Sequence, residues 1–123
     1  MMKELTKAEE QIMQILWKLE KGFVNDIISE MAEPKPAYNT VSTIVRILET
    51  KGFVSHKAYG KTHEYFPLIS KEEYKEGSLS KLVTDYFDNS YKKLVSFFAG
   101  AEKLSKEELE EMKRMIEKEL KNK

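Results

Sequence analysis

The side chains best suited to directed polar contacts lie between Tyr38 and Lys51, at helical spacing. At about 100° per residue, Asn39, Ser42, Thr43, Arg46 and Thr50 share one face. Val41, Ile44, Val45 and Leu48 form the opposite, core-facing side, and Glu49 lies to one side. A guanidinium can grip guanine in a fork, a carboxamide can do the same for adenine, and threonine offers thymine a hydroxyl and a methyl. This is the chemistry of reading base edges in a major groove. An ordinary solvated helix face is the alternative, but such faces usually carry more Glu and Lys.

A second group, Lys57, Tyr59, Gly60 and Lys61, sits at the tip of a predicted hairpin, suited to straddling a phosphate backbone. The chain as a whole is neutral, with 21 basic and 21 acidic residues among 123. That average argues against a nucleic-acid partner and conceals an imbalance. From Lys35 to Lys61 there are five basic residues (Lys35, Arg46, Lys51, Lys57, Lys61) and one acid, Glu49. A local excess of cations is what positioning on phosphate requires.

Other chemistries find little support. The absence of cysteine excludes disulfides, thiol catalysis and Cys-based zinc sites. His56 and His63 are too few for a three-histidine metal site and read as structural or surface residues on predicted strands. Glu107, Glu108, Glu110 and Glu111 read as a solvated helix face. No nucleophile–base pair and no phosphate-cradling glycine loop is visible, so no enzyme, cofactor, metal or small-molecule ligand is expected. Apolar runs are too short to span a membrane, and the polar stretch Met1 to Glu10 is not a signal peptide. A soluble, cytoplasmic protein is expected.

The elements that must position these groups are well marked. Thr6–Glu9, Ser70–Glu73 and Ser105–Glu108 each fit a capping box, in which hydroxyl and acid satisfy each other's backbone at a helix start. The first helix carries Leu5, Ala8, Ile12, Ile15, Leu16 and Leu19 and is expected to end at Gly22. Asn25 is expected to cap a short second helix, and Pro34 and Pro36 break the chain before a third from about Tyr38 to Lys51. Two β-prone runs, Phe53–Lys57 and Thr62–Phe66, enclose a glycine-containing turn. Helix, helix, helix, hairpin is the order of a winged helix, whose second helix-turn-helix element enters the major groove.

Beyond Ser70 the chain reads as helical. Leu79, Leu82, Val83, Tyr86, Phe87, Tyr91, Leu94, Val95 and Phe98 step by three or four, which predicts one long helix from near Ser78 to Gly100. A last helix from Ser105 carries Leu109, Met112, Ile116 and Leu120. Two helices cannot enclose a core, so the stripe would leave a large apolar patch on a monomer. A second copy packed on Leu79, Leu82, Val83, Tyr86, Phe87, Tyr91, Leu94 and Phe98 would cover it and pair two reading helices by a two-fold axis. The expected fold is mainly α with a small β-hairpin. A winged helix-turn-helix domain (1–69) precedes a C-terminal helical dimerisation region (70–123).

Together these segments resemble the penicillinase-repressor (BlaI/MecI/CopY) family of winged-helix repressors. The resemblance rests on Leu5-Thr6-Lys7-Ala8-Glu9 with Met13, Leu16 and Trp17, then Tyr38 to Ile44, Leu48 and Lys51-Gly52-Phe53-Val54. Tyr65 to Ile69 and Leu104 to Leu109 continue it. It implies a homodimeric repressor at a double-stranded, pseudo-palindromic DNA operator, with contacts at Asn39, Thr40, Ser42, Thr43 and Arg46 and a wing contact at Lys61. It also implies release by cleavage in the C-terminal region, with a transmembrane metalloprotease sensor as the candidate partner. Two departures stand out. The family's usual late arginine falls at Ile47, with Arg46 one place earlier, which leaves the operator sequence open. The candidate cleavage region reads Ser96-Phe97-Phe98, with Phe97 where the family's β-lactam-responsive members have Asn. Copper sensing through tail cysteines is excluded. The alternative function is a winged-helix protein-interaction module without sequence-specific DNA binding.

Overall fold

The computed structural model describes residues 3–123; Met1 and Met2, part of the polar N-terminus considered above, lie outside the described residues. Helix α1 (Lys7–Leu19) starts on the expected capping box. The Thr6 N–H donates to Glu9 Oε1 at 2.8 Å and the Glu9 N–H to Thr6 Oγ1 at 3.2 Å. The helix stops at Glu20, which takes a positive φ of 72°, and not at Gly22. Gly22 instead joins the hairpin: its N–H donates to the Tyr65 carbonyl at 2.9 Å and its carbonyl accepts from the Tyr65 N–H at 2.8 Å. A Cβ there would lie 3.3 Å from the Asp26 Cβ, which favours glycine at this close approach.

Helix α2 (Val24–Ser29) is not capped by Asn25, which lies inside it. Asp26 Oδ2 accepts from the Phe23 N–H at 2.9 Å, because an acid at the third position of the helix reaches back to the residue that precedes it. At the other end Lys35 Nζ donates to the carbonyls of Ile28, Ser29 and Met31 at 3.2, 3.3 and 2.6 Å. These contacts satisfy carbonyls that a helix end leaves unpaired. Helix α3 (Tyr38–Thr50) ends within a residue of its expected limit.

Strands β1 (Val54–Tyr59) and β2 (Thr62–Pro67) pair antiparallel, from Val54 opposite Pro67 to Tyr59 opposite Thr62. The turn is therefore only Gly60-Lys61. A positive φ of 64° at Gly60, with none at Lys61, matches the II′ turn that suits strand twist. Ile12, Met13 and Leu16 of α1, Val24 and Ile27 of α2, Val41, Val45 and Leu48 of α3, and Phe53, Val54 and Tyr65 of the hairpin form one buried core. Each large apolar side chain so buried contributes roughly 1.5–3 kcal/mol.

Helix α4 (Lys71–Tyr86) begins on the Ser70–Glu73 capping box and runs through Gly77 without starting afresh at Ser78. Its Tyr74 ring packs on Trp17 and Phe53, at centroid distances of 5.6 and 5.9 Å. The Trp17 indole N–H donates to the Ile69 carbonyl at 2.8 Å. The single long helix expected over 78–100 is instead two. α4 ends at Tyr86 and α5 (Tyr91–Gly100) follows. Asp88 and Asn89 take left-handed φ values of 51° and 58°, a conformation that short Asp and Asn side chains tolerate. Ser90 then caps α5 by accepting from the Lys93 N–H at 3.2 Å, and Lys93 Nζ donates to Asp88 Oδ2 at 2.7 Å. That ammonium, through its hydrogen bond and its charge, holds the Asp88 carboxyl below its ordinary value. Helix α6 (Lys106–Lys121) starts on the third capping box.

The chain divides into two compact units, one ending at Gly77 and one spanning Ser78–Lys123. In the second, Val83 and Leu94 are buried, whereas Leu79, Leu82, Tyr86, Tyr91, Val95, Phe97, Phe98, Met115, Ile116 and Leu120 are exposed. Among the described residues no helix is long and apolar enough to cross a membrane.

Candidate nucleic-acid interface

Helix α3 exposes Tyr38, Asn39, Thr40, Thr43, Arg46, Ile47 and Thr50, while Val41, Val45 and Leu48 are sealed into the core. Ser42 departs from the expected outward face. It is buried, and its hydroxyl accepts from Arg46 Nη2 at 3.0 Å. One turn apart on a helix, the two side chains meet, so Ser42 steadies the guanidinium and is not itself presented. The Thr43 hydroxyl donates to the Asn39 carbonyl at 2.8 Å and the Thr50 hydroxyl to the Arg46 carbonyl at 3.1 Å. Such back-bonds occupy the hydroxyl proton and leave the oxygen lone pairs to accept from an outside donor.

Two of the five cations counted in the sequence are engaged within the fold. Lys35 caps α2, as described. Lys51 Nζ lies 2.7 Å from Glu9 Oε1 and donates to the Glu4 carbonyl at 3.2 Å. Burial pushes the Glu9 carboxyl up, but Lys51 and the Thr6 N–H and hydroxyl outweigh it and hold the group below its ordinary 4.5. Arg46, Lys57 and Lys61 remain as exposed cations. Lys57 is not at the hairpin tip. It stands opposite Glu64 in β1, with its ammonium 5.3 Å from the centre of the Tyr59 ring. Lys61 occupies the turn itself.

Between α3 and the hairpin lies an open cleft of about 320 Å³, lined by Val24, Tyr38, Ser42, Arg46, Glu49, His56, Lys61, His63 and Tyr65. It brings Arg46 and Lys61, from separate elements, to the walls of one concavity. Burial, reinforced by the Glu49 charge, pushes the Tyr65 phenol above its ordinary 10.0, against the opposing charge of Arg46; Tyr38 adds to the rise. The phenol is therefore neutral at physiological pH. Tyr38, Glu49, both histidines and Tyr65 were not assigned to this face from sequence. The strand register sets His56 opposite Tyr65 and His63 opposite Ala58, and the seating of the hairpin against α3 brings Tyr38 and Glu49 to the same cleft. Among the described residues, no group of three or more His, Cys, Asp or Glu is placed to hold a metal ion.

In the second unit Ser96, Phe97 and Phe98 are exposed on α5, in helical conformation. The Phe97 ring contacts Phe87 and Phe98, each at a centroid distance of 5.7 Å.

Three helices followed by a two-stranded wing, with a polar exposed third helix, define a winged helix-turn-helix protein. The family model described as penicillinase repressor matches residues 5–118. The chain belongs to the penicillinase repressor family. It is similar to the methicillin resistance regulatory protein MecI of Staphylococcus aureus (strain N315), 28% identical over 116 residues that cover 94% of each chain. The DNA-binding domain of the repressor BlaI, solved in solution, superposes with a TM-score of 0.52 at 25% identity, over 60% of this chain and 92% of that one. Bacillus licheniformis BlaI, in monomeric form with the blaP half-operator, gives 0.50 at 25% identity over the same shares.

Proposed function

We infer that this protein is a DNA-binding transcriptional repressor that works as a homodimer on a pseudo-palindromic operator. Family membership across residues 5–118, joined to an α3 that exposes Asn39, Thr40, Thr43 and Arg46, carries this reading. Those four side chains address base edges. Ser42 orients Arg46 from beneath. Lys61 at the wing turn, with Lys57 behind it, addresses phosphate. The second unit supplies the dimer contact through exposed Leu79, Leu82, Tyr86, Tyr91 and Phe98, with half-buried Phe87 beside them and Val83 and Leu94 filling the interior beneath. A two-fold pair of α3 helices would then meet two half-sites spaced by whole helical turns. The cytoplasm is the compartment this work requires. Release by a transmembrane metalloprotease sensor would act at Ser96-Phe97-Phe98, after local opening of α5.

The test is selection from a pool of random duplexes with the full-length protein, followed by sequencing. Enrichment of an inverted repeat is expected, with affinity that falls steeply as salt rises. A pool that shows no sequence preference after repeated rounds would overturn the reading in favour of a protein-interaction module.

A further inference from the structure

Glu49 is the one acid between Lys35 and Lys61, and it lies on the helix assigned to DNA, where a carboxylate repels phosphate. Its contacts supply the reason. Glu49 Oε2 lies 2.6 Å from His56 Nδ1, which links the last turn of α3 to β1. The His56 ring lies flat on that of His63 in β2, with centroids 4.0 Å apart and planes 7° from parallel. Both rings also contact the Tyr65 ring. Tyr65 is pinned by its two backbone bonds to Gly22. That bridge secures the hairpin near its base, and His63 stands two residues closer to the turn. Arg46 and Lys61 line the same cleft as the two histidines.

We propose that Glu49, His56 and His63 form a clasp that fixes the wing against the recognition helix, and so sets where Lys61 meets the DNA backbone relative to Arg46. The three are positioning residues. A wing held in place before binding loses less freedom on binding than one that must be ordered by the DNA. The clasp thus offsets the repulsion that Glu49 brings to this face. The inference rests on the DNA-reading function above.

Two measurements separate the clasp from that function. The first uses no DNA: amide hydrogen exchange across 54–67 in the wild type, Glu49→Ala and His56→Ala. Exchange near the turn is expected to quicken about tenfold, with the core amides of α1 and α3 unchanged. Glu49 is on a partly exposed helix surface and Ala is a good helix former, so that variant keeps its fold even if His56→Ala does not. Unaltered hairpin exchange in Glu49→Ala would overturn the clasp. The second measurement uses a duplex recovered by the selection. Lys61→Ala should weaken wild-type binding about tenfold, the scale of one charge-assisted contact. In the Glu49→Ala background the same change should cost less than about twofold, because the wing is already loose. Glu49→Gln, which keeps an oxygen toward His56, should restore most of the Lys61 effect. A full Lys61 effect in Glu49→Ala would overturn the positioning role. A selection that enriches nothing would count against the function, and hydrogen exchange would still decide the clasp.

Discussion

The two units of this chain treat apolar residues in opposite ways. The first encloses eleven buried apolar side chains between three helices and a hairpin. The second buries Val83 and Leu94, and its sixteen-residue α6 buries nothing at all. Yet α6 carries Leu109, Met112, Ile116 and Leu120 at spacings as regular as those of α1. Amphipathic spacing specifies which side of a helix seeks cover. Whether this chain or another supplies that cover depends on how many elements surround the helix. The first unit encloses its own core; the second leaves Leu79, Leu82, Tyr86, Tyr91, Val95, Phe97 and Phe98 exposed.

The contrast can be broken at several points. Leu48→Ala should cost about 3 kcal/mol of folding stability, because Leu48 is fully buried and its removal leaves a cavity in a closed core. Chemical denaturation measures this, and a loss under about 1 kcal/mol would mean that the core is not closed. Tyr86→Glu, at a position 76% exposed, should leave the monomer fold intact and weaken self-association by roughly 2–3 kcal/mol. Sedimentation velocity across a dilution series reads this directly, and a wild type already monomeric at micromolar concentration would remove the dimer from the account. Arg46→Ala should spare both fold and dimer and cost about 2 kcal/mol on the selected duplex, with relaxed preference at one base position. Equal weakening on every sequence would move Arg46 from base to phosphate.

The smallest effect concerns the seam between α1 and α3. Glu9→Gln should cost about 1.5 kcal/mol at neutral pH through the weakened bond to Lys51. The Glu9 carboxyl titrates below its ordinary 4.5 in the folded protein, so its contribution is present above that pH and is lost as pH falls through the depressed value. Melting temperatures of wild type and variant should therefore converge under acid. A gap that persists at pH 2 would place the stabilisation elsewhere.

Much of this architecture is readable from residue order. Thr6, Ser70 and Ser105 announce three helices because hydroxyl and acid act within four residues of each other. The limits of α3 and the existence of the wing follow from Pro36, Gly52 and Gly60. The break between α4 and α5 is harder to read, since the apolar repeat continues across it almost in step. Asp88-Asn89-Ser90 was the available sign, a pair of residues tolerant of positive φ followed by a cap. The site is less legible than the fold. Ser42 lies near the border between two helix faces, and only packing places it inside. Lys51 looks like a DNA-facing cation until its partner, 42 residues away, is known. The pairing of Glu49 with His56 depends on where the hairpin lies against α3, which no local pattern encodes.

Trp17 is the only tryptophan in the chain, and its indole is tied to the Ile69 carbonyl and packed at a tilt against the Tyr74 ring. The protein thus carries an intrinsic optical reporter at the point where the chain leaves the hairpin and enters α4. Its emission follows the winged unit alone, whereas far-ultraviolet dichroism sums every helix. Divergence of the two signals on dilution or heating would resolve a change in the second unit from collapse of the first, with no label attached.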